Sequence, residues 1–316
     1  MTNRTSTKYF ILNIITYLLL WSSILVSGCT SAEDGEVSII FTGDVMLDRG
    51  VRQQIERNGI DYIFSEVKDS FIAADATVIN LECPLTDVED PAEKIFVFKA
   101  DEAWATSLKQ NGITHASLAN NHSYDQGRIG MEHTANTLKK NGIIATGVGH
   151  SDRERIKPVE ISINGLKTAI FSSVLLPLDK WVQTDGMVGI CNADADELAK
   201  AITVYKKRNP ESKIIVSLHW GIEYMNKPTG KQKRDATLLA KAGADIIIGH
   251  HPHVVQQVEE INKCTVIYSL GNFVFDSKRE VGQKGQMAKV TFNKKGTRLK
   301  LYDVDIVKCR PEIRRY

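Results

Sequence analysis

The chain has 316 residues, which is enough for one large domain or two small ones with a buried core. Hydrophobic residues make up 42% and charged residues 25%, a globular composition that excludes disordered, collagenous and multi-span membrane chains. The net charge is +2, but residues 278–316 hold 12 basic and 4 acidic residues, whereas residues 29–277 hold 26 basic and 34 acidic residues. An acidic body favours cations as partners, so we expect no nucleic-acid binding.

The N-terminal segment predicts export. Two cations precede a mainly apolar run over residues 9–26, and small residues then lead to Cys29. This order is typical of secretory signal peptides, and the Leu25–Cys29 ending resembles a bacterial lipobox, in which the cysteine becomes the lipidated first residue. We predict a lipoprotein signal peptide over 1–28, lipidation at Cys29 and a short tether over 29–36. A single uncleaved transmembrane anchor is the alternative.

Either interpretation places the remaining chain outside the cytoplasm and tethers it to a bacterial membrane. Export permits disulfides, but four cysteines allow three pairings, and the sequence does not choose among them. Buried free thiols are an equal alternative. The cysteines concerned are Cys83, Cys191, Cys264 and Cys309.

From Glu36 onward, short β-branched runs alternate with helical stretches. Strands are predicted at Val37–Phe41, Thr77–Leu81, Thr114–Leu118, Ile143–Thr146, Lys213–Leu218, Asp245–Ile248 and Thr265–Ser269. Helices are predicted at Val51–Asn58, Tyr62–Ile72, Glu102–Gln110, Gly130–Lys140, Asp194–Arg208 and Gln232–Ala242. Apolar strands separated by helices imply crossover connections and a buried, largely parallel sheet.

Two regions depart from this alternation. Val159–Val174 contains Asn164-Gly165 between alternating apolar arms, which predicts a β-hairpin. After Phe273 the pattern predicts strands without helices, at Gln286–Phe292 and Arg298–Val307 around a Lys-Lys-Gly turn. We therefore predict an α/β fold with two facing mixed β-sheets flanked by helices.

No linker divides the chain after the leader, so we predict one domain over residues 37–316. Its core motifs occupy 37–276, and 277–316 form a strand-rich basic part. The basic part could face an anionic polymer or a membrane surface. A solvated outer face of two strands is the simpler alternative.

Polar side chains follow the predicted strands where each strand ends. Five of six strand ends carry an Asp, Glu or His, and the sixth carries Asn. The segments are Thr42–Asp44, Asn80–Glu82, Asn120–Asp125, His219–Glu223, Gly249–His253 and Ser269–Asn272. Singly, Asp44 could cap a helix and His219 could pack on Trp220. Ligands bind at the carboxyl ends of strands in open α/β sheets, so the shared position favours one site.

The histidine cluster of Gly249–His253 is the most specific of these segments. His251 precedes Pro252, which predicts an extended backbone. In extended chain, residues two apart face the same way, so His251 and His253 should point together while His250 turns aside. Two imidazoles beside carboxylates suit a borderline-soft divalent cation.

These segments resemble the CapA family of bacterial capsule proteins, a group associated with poly-γ-glutamate synthesis, over about residues 37–276. The matching residues are Gly43–Arg49, Asn80–Glu82, Ser117–His122 with Asp125 and Gly127, His219–Gly221 with Glu223 and Tyr224, Gly249–His253, and Ser269–Phe273. The resemblance implies a calcineurin-like metallophosphoesterase fold, which is a four-layer sandwich. It also implies an anionic polymer or phosphoester substrate, and membrane-bound capsule synthase components as partners.

The resemblance implies divalent metal ions as cofactors, namely Mn, Zn, Fe or Mg. Six positions match metal ligands: Asp44, Glu82, Asn121, His219, His251 and His253. The resemblance implies that Asp44 and His253 bind the first cation, that Glu82 is the bridging carboxylate, and that Asn121, His219 and His251 bind the second cation.

Other positions match catalytic and supporting residues. His122 matches the histidine that protonates the leaving group, with Asp125 as its orienting partner. Arg49 is the expected donor to a bound anion, because its guanidinium matches phosphate or carboxylate oxygens. Three more residues are expected to support the ligands or contact the substrate: Glu223, His250 and Asn272.

Three positions depart from the phosphoesterase pattern. Met46 stands where the Asp-x-His motif has histidine, Glu82 replaces the bridging aspartate, and Asn120 replaces a glycine. The first cation thus loses one ligand, which leaves that site either weaker or served by Asp48, Glu223 or water. We expect one firmly held cation and a second held more loosely.

Two functions from different classes fit these residues. The first is an extracytoplasmic enzyme that hydrolyses or transfers at a phosphoester or polymer linkage, which the ligand cluster and His122 favour. The second is a non-catalytic accessory subunit of anionic-polymer assembly that keeps the cation as a structural or binding feature. Met46 and the basic 278–316 segment favour this second function.

Overall fold

The computed structural model of this chain describes residues 35–178, 186–293 and 296–314. The predicted signal peptide, Cys29 and most of the predicted tether lie outside these residues, as do the two lysines of the predicted Lys-Lys-Gly turn. Among the residues that are described, no helix combines the length and the apolar character needed to cross a bilayer.

Sixteen strands, eight α-helices and one short 3₁₀ helix at Glu280–Gln283 make up the described fold. The strands are β1 Val37–Val45, β2 Ala76–Leu81, β3 His115–Ser117, β4 Ile144–Thr146, β5 Val148–Gly149, β6 Val159–Ile163, β7 Leu166–Val174, β8 Gly189–Ile190, β9 Lys213–His219, β10 Ile246–His250, β11 Val258–Ile261, β12 Cys264–Ile267, β13 Asn272–Val274, β14 Lys284–Asn293, β15 Gly296–Val307 and β16 Arg310–Ile313. The helices are α1 Arg49–Asn58, α2 Ile60–Phe64, α3 Lys68–Ile72, α4 Trp104–Gln110, α5 Gly127–Lys140, α6 Asp152–Arg155, α7 Ala195–Arg208 and α8 Gly230–Ala242.

Most strands form two mixed sheets. The first has the order β16-β15-β14-β1-β2-β3-β4, with β13 also paired to β1, and the second has the order β11-β12-β10-β9-β7-β6. In the first sheet, β1, β2, β3 and β4 are parallel, each paired with the next. In the second sheet, the parallel pairs are β7 with β9, β9 with β10, and β10 with β12. Antiparallel strands extend each sheet at its edges. The predicted mixed sheets are confirmed.

Three apolar layers hold the sheets and helices together. Ile39 and Phe41 of β1 point into the layer between the two sheets, whereas Ile40 packs with the helices outside the first sheet. In β10, Ile248 joins the same central layer, and Ile247 packs against α7 and α8. Both sheets are therefore buried on both faces, as their continuous apolar runs require.

The predicted hairpin is confirmed, and one predicted helix is wrong. Strands β6 and β7 pair antiparallel around Asn164 and Gly165, whose φ values are 52° and 76°. The predicted helix Tyr62–Ile72 is instead two short helices, α2 and α3. Val67 adopts φ −122°, outside the helical range, and is fully buried between them. Because the Val67 side chain is buried, the chain turns at this residue instead of continuing as one helix.

The cysteines among the described residues form no disulfide. The four cysteines Cys83, Cys191, Cys264 and Cys309 are free, and the first three are buried. For those three cysteines, the structure therefore contains buried free thiols.

The backbone just before His250 requires glycine. In β10, a Cβ on Gly249 would lie 2.0 Å from the Tyr268 carbonyl oxygen, so only glycine fits there.

Candidate metal centre

The polar strand ends of both sheets meet in one place. Asp44 lies near the end of β1 and Glu82 directly follows β2, while His219 ends β9 in the other sheet. His250 ends β10, and its Nε2 lies 3.0 Å from the Thr42 carbonyl oxygen of β1, which links the two sheets. The predicted convergence of strand ends is therefore present in the structure.

Two carboxylates and one amide form the floor of the site. Asp44 and Glu82 are both fully buried. Asn80 Nδ2 donates to Asp44 Oδ1 at 2.8 Å and to Glu82 Oε1 at 3.3 Å, so one amide connects both acids. The second oxygen of Glu82, Oε2, has no hydrogen-bond partner among the described residues. A buried carboxylate oxygen without a partner is a costly feature that a cation would satisfy.

Burial and mutual repulsion set the charges of these acids. Burial raises the pKa of Glu82 well above its ordinary value, and the negative charge of Asp44 raises it further. Burial acts on Asp44 in the same direction, but the hydrogen bond and charge of His253 outweigh it, so the Asp44 pKa is lowered. Burial acts to lower the pKa of His253, yet Glu82 and Asp44 raise it to about 9. A protonated His253 thus compensates the acids of the metal-free site.

Two further imidazoles stand beside this group and are neutral. His219 Nε2 lies 2.9 Å from Asn121 Oδ1 and 3.4 Å from Glu82 Oε1. The His219 and His251 ring centroids are 4.8 Å apart. Burial lowers the pKa of His219 well below its ordinary value, and burial together with the positive charge of His253 lowers that of His251 to about 4. Neutral imidazole is the form that ligates metals.

The extended backbone predicted for His251 is wrong. His251 has φ 97° and His253 has φ 56°, values that few residues other than glycine adopt. The His251 amide donates to Asp44 Oδ2 at 3.3 Å, so the turn brings the backbone onto the carboxylate. This contact overrides the preference imposed by Pro252, and strained backbone of this kind is concentrated at functional sites.

The supporting histidine and asparagine have separate roles. His250 turns aside, as predicted, and contacts the β1 backbone instead of the acids. Asn272 Oδ1 lies 2.9 Å from His253 Nδ1, while its Nδ2 donates to the Gly282 carbonyl at 2.8 Å. Asn272 therefore fixes the orientation of the His253 ring.

The donor set fits a divalent cation. Ligand atoms of Asp44, Glu82 and His253 all lie within 4.8 Å of one another, and so do those of Glu223, His251 and His253. His251 Nδ1 is buried without a hydrogen-bond partner among the described residues, like Glu82 Oε2. Carboxylate oxygens and imidazole nitrogens at this density are typical ligands of Zn, Mn or Fe.

Met46, one of the three departures from the phosphoesterase pattern, is part of the apolar core. Met46 is completely buried in the apolar layer beneath the site, and its sulfur accepts the Asp48 amide at 3.0 Å. Asp48 caps α1 and also accepts Arg52 Nε at 3.0 Å and the Lys99 amide at 2.8 Å. Its carboxylate is therefore engaged, so of the two predicted substitute side chains Glu223 is the one that lies with the histidines.

His122 lies at the edge of the site with an acid partner. Its Nδ1 is 2.8 Å from Asp125 Oδ2, and its ring stacks on Phe98 with centroids 4.3 Å apart. Asp125 is fully buried, accepts the Phe98 amide at 2.7 Å and forms an ion pair with Lys94. Burial lowers the pKa of His122, with a further contribution from Lys94, while Asp125 opposes both. The predicted His122–Asp125 pair is present.

Arg49 lies at the mouth of the site in a fixed position. Its guanidinium pairs with Asp276 and lies 4.8 Å over the Phe98 ring and 5.5 Å over the Phe275 ring. Phe275 in turn lies 4.9 Å from the His253 ring. Arg49 therefore stands between the His122 and His253 ends of the site.

The roles of three residues of the site were not predicted from the sequence. Asn80 is visible in the Asn80–Glu82 segment, but only the structure shows that it donates to both acids. Lys94 and Asp276 lie in segments without strand or helix periodicity, so no pattern indicates their contacts with Asp125 and Arg49.

The fold is shared with a protein of known structure. The structure resembles that of a 5′-nucleotidase precursor from Thermus thermophilus with a TM-score of 0.51, at 13% identity, over 88% of this chain and 55% of that chain. The likeness establishes the fold as the metallophosphoesterase-like α/β sandwich that was predicted.

The sequence then identifies the family within that class. Residues 38–277 match the family described as "Bacterial capsule synthesis protein PGA_cap". The chain belongs to this family of bacterial capsule synthesis proteins, which confirms the predicted resemblance. It is 30% identical to "PGA biosynthesis protein CapA" of Bacillus subtilis over 98% of this chain and 83% of that protein. It is 33% identical to "Capsule biosynthesis protein CapA" of Bacillus anthracis over 77% of this chain and 61% of that protein.

The buried acid pair leads to a prediction about Glu82→Gln. The substitution removes a carboxyl group that is repelled by Asp44, so the metal-free protein should keep or slightly exceed wild-type stability. At a Mn²⁺ concentration 100 times the dissociation constant, wild type should gain about 2.7 kcal/mol, whereas the variant should lose most of this gain. Thermal unfolding with EDTA and with Mn²⁺ measures both effects.

The exposed Glu132 provides the matched control, because Glu132→Gln makes the same chemical change outside the site. Its Mn²⁺-dependent stabilisation should equal that of wild type. A Glu82→Gln variant that is stabilised by Mn²⁺ as much as wild type would contradict the assignment of Glu82 as a ligand.

Proposed function

We propose that this protein is a metal-dependent hydrolase or transferase of capsule synthesis, acting at a phosphoester or at a linkage of an anionic polymer such as poly-γ-glutamate. Membership of the capsule synthesis family supports the biological setting. One observation supports the enzymatic role above all. Buried ligands with unsatisfied oxygen and nitrogen atoms lie close to the hydrogen-bonded His122–Asp125 pair.

The ligand residues divide between two cation positions in this proposal. Asp44, Glu82 and His253 would hold one cation, and Glu223, which lies with His251 and His253, would add a carboxylate beside it. Asn121, His219 and His251 would hold the second cation, with Glu82 close to His219. When bound, a divalent cation supplies Lewis-acid charge next to an anionic substrate.

His122 is the group that moves a proton. Its Nδ1 is held by Asp125, which leaves Nε2 to exchange a proton with the substrate. Burial lowers its pKa, so the free ring is largely neutral at pH 7. An anionic substrate beside the ring would raise this pKa and favour the imidazolium that donates to a leaving group. Arg49 would bind an anionic oxygen of the same substrate from its fixed place over Phe98.

The second candidate function is a non-catalytic accessory subunit that binds an anionic polymer through the same cation. One observation favours it specifically. Met46 fills the position of a metal-binding histidine with a side chain that is fully buried in the apolar layer. One cation position therefore has fewer protein ligands than a complete dinuclear phosphoesterase site.

Turnover of an aryl phosphoester by the purified, Mn²⁺-loaded full chain separates the two functions. His122→Ala should lower the rate at least about 100-fold, because a positioned proton donor is lost, while the bound metal measured by elemental analysis stays the same. His150→Ala, at an exposed histidine elsewhere on the chain, should leave both quantities unchanged.

The outcomes are distinct. Full activity of His122→Ala would reject its proposed role. Bound metal without turnover by wild type, on any phosphoester or acidic oligomer tested, would favour the accessory function.

We also propose that the protein acts outside the cytoplasm, held at the bacterial membrane by a lipid on Cys29. The support is the order of cations, apolar run and small residues before Cys29. In cells that express the full chain, Cys29→Ala should abolish incorporation of labelled palmitate, whereas Cys309→Ala should retain it. Unlabelled wild-type protein that stays in the membrane fraction would instead support the transmembrane anchor.

A further inference from the structure

A loop beside the candidate metal centre carries a positively charged side chain, Arg279, that has no role in the chemistry proposed above. Arg279 lies just before the short 3₁₀ helix Glu280–Gln283 and is exposed. Its guanidinium stacks 3.9 Å over the ring of Tyr224, and that ring lies 6.0 Å from the His253 ring. From these two distances, Arg279 lies at most about 10 Å from His253, the reach of about three extended residues.

The loop is tied to the ligands of the site. Asn272, which orients His253, donates from Nδ2 to the Gly282 carbonyl at 2.8 Å. Ser277 Oγ accepts the Arg279 amide at 3.2 Å, and Gln283 Nε2 donates to the Ser277 carbonyl at 3.1 Å. Arg279 is therefore held at a defined distance from the metal-binding histidine.

The acids around Arg279 are engaged elsewhere. Asp276 pairs with Arg49, and Glu280 pairs with Lys284 at 3.4 Å. Glu223 lies with His251 and His253. Among the described residues no carboxylate forms an ion pair with Arg279, so its guanidinium keeps hydrogen-bond donors for a ligand. The aromatic ring beneath it fixes the plane of those donors.

We propose that Arg279, held on Tyr224, forms a subsite that binds a second anionic group of the substrate, namely a carboxylate next to the linkage bound at the metal centre. The class of ligand rests on the proposed function, because a polymer of acidic units carries a carboxylate within reach of every linkage. The planar guanidinium matches a carboxylate with two parallel hydrogen bonds. The subsite selects polyanionic substrates over esters that carry a single charge.

Binding of two synthetic tetramers to the Mn²⁺-loaded full chain tests this subsite. One is a γ-linked glutamate tetramer, and the other is the same tetramer with each α-carboxyl converted to the amide. Isothermal titration calorimetry should show that Arg279→Gln weakens binding of the acidic tetramer about fivefold or more. Arg279→Lys should have a smaller effect, and binding of the amide tetramer should not depend on residue 279.

The exposed Arg57, in the last turn of α1, gives the matched control. Arg57→Gln makes the same charge change outside the site and should bind the acidic tetramer like wild type. The subsite is overturned if Arg279→Gln binds the acidic tetramer with wild-type affinity, or if wild type binds both tetramers equally or binds neither.

These results are separate from the test of the proposed function, because binding is measured without turnover. Binding of the acidic tetramer that depends on Arg279, in a protein that hydrolyses nothing, would reject the hydrolase and retain the subsite. An active hydrolase whose binding of the tetramer is independent of Arg279 would reject the subsite and retain the hydrolase.

Discussion

The repulsion between two buried carboxyl groups is the constraint on which the rest of the site depends. Asp44 and Glu82 are both fully buried, and one amide, that of Asn80, donates to both. Without a cation the protein compensates in two ways, since the pKa of Glu82 is raised and that of His253 is raised to about 9. Both shifts favour holding a proton near the acids. A divalent cation would instead place two positive charges beside these groups and relieve the repulsion, which supports metal binding at this cluster.

The two-sheet fold is what brings these groups together. Parallel strands of one sheet present Asp44 and Glu82, and the strands of the other present His219 and the Gly249–His253 turn. The central apolar layer locks the sheets face to face, so the two sets of ligands approach from opposite sides. The His250 contact with the β1 backbone adds a direct link at the level of the site. Stability of the fold and placement of the ligands thus have the same origin.

The sequence was most informative where apolar runs and polar strand ends coincide. Fully buried strands produce continuous apolar runs, so their ends and the polar residues that follow can be located from the order of residues alone. The conformation of His251 could not be predicted from the sequence, because its contact with the Asp44 carboxylate overrides the local effect of Pro252. The break at Val67 is similar, since tertiary burial competes there with a helical pattern. Lys94 and Asp276 act from loops, where no periodicity marks a residue as part of a site.

The charges around the site complement its acidic floor. The body of the chain is acidic, yet Arg49, Lys94 and Arg279 surround the mouth of the site. Two of the three are fixed by Asp276 and Asp125, and the third by the ring of Tyr224. Since Arg49 and Lys94 are paired with acids, an anionic substrate would meet positive charge mainly from bound cations and from Arg279. This arrangement supports the proposed action on an anionic substrate by a member of the capsule synthesis family.

Anomalous diffraction from crystals equilibrated with Mn²⁺ would show whether the buried acids bind a metal ion. We expect a strong peak among Asp44, Glu82 and His253, with metal–ligand distances of about 2.0 to 2.3 Å and the direct contact between Asp44 and His253 broken. Crystals that show no peak there at saturating Mn²⁺, with His253 still hydrogen-bonded to Asp44, would contradict this expectation.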